Sequence, residues 1–210
     1  MNNAAQGIVS RHFYASYQFE LALQLHEQVP DDADLSTAFR IVFGDQDTDW
    51  RHFEVSRKRA EASFVACAES INVVPDLLGH VIYFALGCNL DHRRLRSRSV
   101  SLSSALAAIS SDPACSTLVS NVRALIDHEG YRYLTDLVNT AKHRSIVPAP
   151  YSIDLTGEDA RAHGVRFSGF EYEGRAYEPC WVRPFLEAEF SRRSRCLVES
   201  GEEINRLVGA

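Results

Sequence analysis

A chain of 210 residues, 45% hydrophobic and 24% charged, has an ordinary globular composition and is long enough for one sizeable core. Its net charge of −6 excludes a surface that attracts nucleic acid over its whole area, because neutralising phosphates requires a positive field. A local basic groove is still allowed.

The five cysteines are scattered and form no C-x-x-C pair, which indicates reduced thiols in a reducing compartment. The N-terminal sequence has no apolar core of a signal peptide. The longest apolar stretch, VVPDLLGHVIYFALG, is short and interrupted by Pro, Asp and His, so it is not expected to span a bilayer. We therefore expect a soluble, cytoplasmic protein with no membrane contact.

Apolar residues at helical spacing predict a series of helices over the first 147 residues. The predicted helices cover residues 14–29, 47–74, 75–87, 101–110, 112–130 and 131–146. Asn72 and Pro75 mark the predicted boundary between the second and third of these helices, and Gly130 marks the predicted end of the fifth. The segment DLSTAFRIVFGD, residues 34–45, is ambiguous between helix and strand.

After Pro148 the sequence alternates with a period of two. The segments YSIDLTG, HGVRFSGFEYEG and RAYEPC predict two or three short antiparallel strands, with a tight turn at Glu173-Gly174. The last thirty or so residues return to helical spacing. The predicted fold is mainly α, a helical bundle with a small antiparallel β-meander inserted before the C-terminal helix. We expect a single domain over residues 1–210, with the bundle in 1–147, the meander in 148–180 and a helix in 181–210 that packs back on the bundle.

The predicted helix in YLTDLVNTAKHRSIVPAP carries the main functional hypothesis. At about 100° per residue its apolar side holds Leu134, Leu137, Val138, Ala141 and Ser145. The opposite side holds Arg132, Asp136, Asn139 and His143, spaced four, three and four apart, with Lys142 and Arg144 on its flanks.

This polar row contains the groups needed for acid–base chemistry on a phosphate. His143 can exchange a proton near neutral pH, and Asn139, one turn away, can hydrogen-bond it or a substrate oxygen. Lys142 and Arg144 can hold an anion, which suits metal-independent RNA cleavage. The alternative is a solvated helix face, with Arg132 and Asp136 as an ordinary i,i+4 pair and the cations favoured by the helix dipole.

The sequence NTAKH resembles the end of the R-N-x-x-x-H motif of HEPN proteins, small helical bundles of prokaryotic toxin and antiviral systems. Asn139 and His143 match that motif, while Val138 stands where the family has its Arg. Active members cut RNA without metal through an Arg and a His at a dimer interface. The resemblance therefore implies a bacterial homodimer that binds RNA or a nucleotide, either as a ribonuclease or as an inactive relative.

A second basic segment, DHRRLRSRSVS, holds Arg93, Arg94, Arg96 and Arg98. A loop this basic in an acidic protein can bind phosphate, and Arg93 and Arg94 therefore join Arg132, Lys142 and Arg144 as candidate phosphate ligands. The alternative is a solvated loop, or one that pairs with acidic surface elsewhere.

Other polar pairs give weaker signals. Asp76 and His80 lie four apart on an apolar helix, which is more typical of a satisfied core histidine than of a catalytic pair. Cys88 and His92 lack the further ligands that zinc requires. No Walker, G-x-S-x-G, H-E-x-x-H or dinucleotide motif is present, so no metal site and no cofactor is predicted.

Two functions remain open at this point. The first is an HEPN-like protein that binds RNA or nucleotide phosphate, with or without cleavage. The second is a non-enzymatic interaction module, for example a partner in a defence or toxin–antitoxin pair, whose β-meander binds another protein by strand addition at an open edge.

Overall fold

The computed structural model describes residues 2–25, 34–43, 48–90, 95–157 and 162–209. Within them the chain is mainly helical, with a small set of antiparallel strands before the C-terminal helix, which confirms the predicted fold class. The α-helices are α1 (Asn2–Leu25), α2 (Leu35–Phe43), α3 (Thr48–Ala85), α4 (Leu102–Ile109), α5 (Ser116–Ile126), α6 (Glu129–His143) and α7 (Val182–Gly209). Single 3-10 turns lie at Cys88–Leu90, Ser97–Ser99 and Pro113–Cys115.

Side-chain caps explain where two of the short helices begin. The Asp34 carboxylate accepts the backbone N–H of Thr37 at 2.8 Å, so the ambiguous segment becomes α2. At α4, Ser101 and Ser104 form a reciprocal capping box, with each side chain accepting the other residue's backbone N–H.

Two predicted helix breaks are wrong. Pro75 does not open a new helix, because α3 runs through it from Thr48 to Ala85. Proline removes one helical hydrogen bond but does not end a helix whose neighbouring turns are otherwise stabilised by burial, and Val74, Pro75 and Leu78 are all buried. Gly130 does not end α5, which stops at Ile126, but lies in the first turn of α6.

Five short strands follow α6: β1 (Tyr151–Ile153), β2 (His163–Phe167), β3 (Phe170–Tyr172), β4 (Arg175–Tyr177) and β5 (Cys180–Trp181). They form an antiparallel sheet in the order β1-β2-β5 and a separate β3–β4 hairpin. The predicted strand HGVRFSGFEYEG is thus divided at Ser168-Gly169 into β2 and β3.

The chain forms two compact units. The first comprises Met1–Tyr14, Ser70–Thr135 and Glu187–Ala210, and the second comprises Ala15–Glu69 and Asp136–Leu186. The core of the first unit is built from α3, α4, α5 and α7 side chains, with Ile82, Leu118 and Val122 fully buried. In the second unit a small cluster of Ala38 and Phe53 packs with Tyr151 and Ile153 of β1. The predicted single domain stays a prediction.

One helical stretch among the described residues, Trp50–Ala85, is long and apolar enough to cross a membrane by length and composition only. Half of its most apolar window is buried inside the protein, and a core helix passes the same test. The stretch is weak evidence for a membrane span.

Candidate phosphate-binding site

The second half of α6 buries its apolar side as its sequence predicts. Leu137 and Val138 are buried, and Val138 is only 1% exposed. They contribute to an apolar cavity lined by Val65, Ala68, Leu137, Val138, Ala141, Val147 and Phe167. The burial of this stripe fixes the orientation of the helix within the second unit and leaves its polar side for the β3–β4 hairpin.

The polar side of α6 is not a continuous exposed row, which corrects both interpretations of the sequence. Asp136 is only 5% exposed, and its carboxylate accepts a 2.5 Å hydrogen bond from Tyr177 Oη. Arg175 Nη1 lies 3.5 Å from the same carboxylate. Burial and the neighbouring Asp136 carboxylate raise the pKa of the Tyr177 phenol. Asp136 therefore anchors the hairpin to the helix.

The hairpin turns through Glu173 and Gly174, which confirms the predicted tight turn. Their φ angles of 48° and 77° are those of a type I′ turn, the two-residue connection that matches the twist of paired strands. Tyr172 pairs with Arg175 and Phe170 with Tyr177 in the resulting register. These four side chains share one face, and the Phe170 and Tyr177 rings stack at 4.7 Å.

Arg144 follows the last residue of α6 and is held by the same hairpin. Its Nη1 donates a 3.4 Å hydrogen bond to the carbonyl oxygen of Glu171. Its Cζ lies 5.2 Å from the centroid of the Tyr172 ring, in a cation–π contact. Arg144 remains exposed in this arrangement. Its guanidinium is thus ordered by a carbonyl and a ring, neither of which neutralises its charge.

Lys142 and His143 complete a run of three exposed residues at this end of the helix. Across the described ranges, none of Lys142, His143 and Arg144 forms an ion pair with an acidic side chain. Many other basic side chains do, among them Arg57, Lys58, Arg175, Arg192, Arg193 and Arg206. We call Lys142, His143 and Arg144 the terminal basic cluster. The charges of Lys142 and Arg144 are therefore available to an external anion.

The candidate catalytic pair is not assembled in this structure. Asn139 is half-buried and His143 is exposed, and neither side chain forms a hydrogen bond with any other described residue. A general base normally has its imidazole oriented by a partner. The pair can reach a ligand at the surface, but nothing described here orients His143 before the ligand arrives.

The remaining candidate cations do not add to this geometry. Arg93 and Arg94 lie outside the described residues. Arg132 is exposed on α6 and, like the exposed Arg96 and Arg98, belongs to the first compact unit. Among the described residues, no group of three or more His, Cys, Asp or Glu is placed to hold a metal ion.

Asp76 and His80 do not form the hydrogen-bonded core pair that the sequence favours. Asp76 is exposed, and the half-buried His80 ring stacks with Phe84 at 6.2 Å. Within the described chain the two side chains make no hydrogen bond.

A buried ionic network in the first unit was not predicted from the sequence. The Glu189 carboxylate, 2% exposed, accepts hydrogen bonds from Arg192 at 2.8 Å and 3.0 Å and from Arg193 at 2.9 Å. Arg193 also lies over the Tyr131 ring at 4.8 Å. Spacings of three and four on a helix are typical of exposed ion pairs, so the spacing indicates these pairs but not their burial.

A Tyr–His pair in the second unit was not predicted either. Tyr151 Oη and His163 Nδ1 lie 2.6 Å apart, and His163 is buried. The two residues lie on neighbouring strands, β1 and β2, whose register is not readable from the sequence of either strand alone.

Comparisons of this chain with protein-family models, with curated proteins and with solved structures find no match.

Proposed function

We propose that this protein binds RNA or nucleotide phosphate through the terminal basic cluster, as an HEPN-like protein. The observation that carries the proposal is the run of three exposed basic residues, Lys142, His143 and Arg144, with no acidic partner among the described residues. In a chain of net charge −6, this is a local positive surface of the kind that phosphate requires.

The ordering of Arg144 supports the same function. An unrestrained arginine loses rotamer freedom when it binds a phosphate, and that loss subtracts from the affinity. The Glu171 carbonyl and the Tyr172 ring already hold Arg144 in the free protein. A guanidinium ordered in this way offers phosphate two parallel donors at a smaller entropic cost.

The position of Val138 supports binding without cleavage. The resemblance to HEPN proteins places the catalytic Arg at this position, but Val138 is buried and lines the apolar cavity. An arginine there would point away from the exposed polar side of α6. We therefore propose an inactive relative of the HEPN ribonucleases, in which Asn139 and His143 contact the ligand and do not cut it.

Two further properties are proposed from the same resemblance, a bacterial origin and a homodimeric state. A cytoplasmic location is proposed from the scattered cysteines, which suit a reducing compartment. Arg132, Arg93 and Arg94 stay proposed phosphate ligands on the grounds of their sequence alone.

The proposal is tested by the salt dependence of RNA binding. We expect a short single-stranded RNA to bind the wild type, and Lys142→Ala and Arg144→Ala each to weaken binding. Each substitution should also reduce the slope of log affinity against log salt concentration by about 0.7, because one phosphate contact is lost.

Arg123→Ala is the matched control for these two variants. Arg123 is likewise an exposed arginine in the last turn of a helix, α5, with no ion pair in the described ranges. If Arg123→Ala weakens RNA binding equally, the binding is a general attraction between opposite charges and does not depend on the terminal basic cluster. Absence of RNA binding by the wild type would reject the proposed function.

Cleavage is tested separately, with RNA incubated in EDTA beside His143→Ala. We expect the RNA to remain intact with both proteins. Cleavage by the wild type that His143→Ala abolishes would instead make the protein a metal-independent ribonuclease and contradict the inactive assignment.

The second candidate is a protein-interaction module that binds through the hairpin. Within the described residues the hairpin is a two-stranded sheet in which β4 pairs with β3. A partner strand could add there, in which case RNA would not bind and the terminal basic cluster would be structural.

A further inference from the structure

We infer that the ligand is a single-stranded RNA or a nucleotide with an unpaired base. The base stacks on the Arg144 guanidinium, on the side opposite the Tyr172 ring. This inference rests on the proposed function and names the part of the ligand that the terminal basic cluster leaves unexplained. Lys142, His143 and the N–H groups of Arg144 account for the phosphate contacts, and the placement of Arg144 against an aromatic ring also suits a flat ligand.

The contact between Arg144 and Tyr172 leaves Arg144 accessible to a ligand. Arg144 Cζ lies over the Tyr172 ring at 5.2 Å, and the side chain nevertheless remains exposed. A guanidinium is planar and weakly hydrated, so its open face readily takes a second flat group. Nucleobases in single strands are bound in this way, on aromatic rings and on arginine planes.

The Tyr172 ring is part of a platform, the face of the β3–β4 hairpin that supports Arg144, and this platform is held in place before a ligand binds. Tyr172 flanks the type I′ turn and pairs with Arg175 across the hairpin. Tyr177, on the same hairpin face, is bound to the buried Asp136 two turns of α6 before Arg144. This bond fastens the hairpin to the helix, so the ring that supports Arg144 needs less ordering by the ligand.

The distribution of charge is a further argument. Lys142 and His143 precede Arg144 in the chain and are exposed like it, so a phosphate attached to the stacked base has a lysine ammonium and an imidazole at the same end of α6. The Glu171 side chain lies on the other face of the hairpin from Tyr172, because successive strand residues alternate in direction. In a duplex the bases are stacked within the helix, and therefore only an unpaired base can occupy this platform.

The test compares two strands with equal numbers of phosphates. One is a short single-stranded RNA, and the other is the same strand with abasic riboses. We expect the wild type to bind the strand with bases at least about fivefold more tightly than the abasic strand, as one stacked base provides. Fluorescence anisotropy with a label at the strand end measures both affinities.

Two variants remove the platform in different ways. Arg144→Lys keeps the positive charge and removes the planar guanidinium. This variant should therefore bind both strands with nearly the affinity that the wild type has for the abasic strand. Tyr172→Leu should have the same effect through the loss of the supporting ring. Arg123→Lys, the matched exposed arginine on α5, should leave the preference unchanged.

The outcomes separate this inference from the proposed function. If neither strand binds, both fail. If both strands bind equally and Arg144→Ala weakens both, phosphate binding stands and base stacking is wrong. A preference for bases that survives Arg144→Lys, or tighter binding of a duplex than of the single strand, also overturns the inference.

Discussion

Tyr177 donates a 2.5 Å hydrogen bond from its phenolic Oη to the buried carboxylate of Asp136, and so fastens the β3–β4 hairpin to α6. Two strands of three residues are too short to be stable alone in water. The anchor therefore helps to hold the hairpin face that supports Arg144.

Tyr177→Phe removes only the hydroxyl of this anchor. We expect a loss of about 1–3 kcal/mol in the free energy of unfolding, because the buried carboxylate loses its strongest neutral donor. Urea denaturation measures the loss. Tyr14→Phe is the control, since Tyr14 is exposed and its hydroxyl has no hydrogen bond to any described residue. An equal effect of the two substitutions would show that the Asp136 contact is not an anchor.

The same bond predicts how stability depends on alkaline pH. Burial and Asp136 raise the pKa of Tyr177 in the folded protein, so the folded state holds this proton more tightly than the unfolded state does. The resulting stability is fully present below the ordinary tyrosine pKa of about 10 and is lost as the pH rises through the folded pKa. The difference in stability between wild type and Tyr177→Phe should therefore shrink above that pH. A constant difference would contradict the raised pKa.

The α6–hairpin arrangement also shows how far the sequence alone predicts this site. The helical period correctly placed Leu137 and Val138 in the core, and the Glu173-Gly174 dipeptide correctly predicted a tight turn. The burial of Asp136 was not predictable, because it depends on a hairpin that lies about forty residues further along the chain. Local patterns report which side of an element is apolar, whereas which element covers the polar side is a long-range property.

The buried Glu189 carboxylate in the first unit gives a prediction at acid pH. Burial by itself would raise the pKa of Glu189, but the hydrogen bonds from Arg192 and Arg193 outweigh it and hold the pKa below its ordinary value. The stability from this group is present above the unfolded pKa of about 4.3 and is lost as the pH falls through the folded pKa.

Glu189→Gln should lower the free energy of unfolding at neutral pH by about 3–5 kcal/mol, because the buried Arg193 loses its counter-charge. The deficit relative to wild type should narrow as the pH falls below about 4, which chemical denaturation at several pH values measures. Glu202→Gln, an exposed position of α7, should change stability by less than about 0.5 kcal/mol. A deficit that does not change with pH would argue against the lowered pKa.

Gly130 gives a steric test of the same region. A Cβ at this position would overlap the Glu189 carboxylate and lie 2.7 Å from its Cδ. Gly130→Ala should therefore destabilise the protein, by about 1–3 kcal/mol, although alanine is the better helix former.

Gly201→Ala is the same substitution at a position where we expect it to stabilise the protein. Gly201 lies within α7, and a Cβ there meets nothing within 4 Å. The substitution should raise stability by about 0.5–1 kcal/mol through reduced freedom of the unfolded chain. Thermal unfolding of both variants gives the comparison, and a stabilising Gly130→Ala would show that the Glu189 carboxylate does not press on α6.

Val138→Arg tests whether this helix can take the arginine that the HEPN motif has at the corresponding position. Val138 is 1% exposed among the apolar side chains of the cavity, including Ala141 and Phe167. A guanidinium placed there has no acidic partner on the cavity wall, so we expect a loss of about 3–5 kcal/mol. Urea denaturation measures it, and RNA cleavage should not appear.

Val198→Arg makes the same exchange where Val198 is 61% exposed on α7, and it should alter stability by less than about 0.5 kcal/mol. The contrast matters because a stable Val138→Arg protein would mean that the arginine reaches the polar side of α6. If such a protein also cut RNA, Val138 would be the single residue that separates this chain from an active nuclease. A destabilised, inactive Val138→Arg instead means that the apolar packing of α6 itself excludes the motif's arginine.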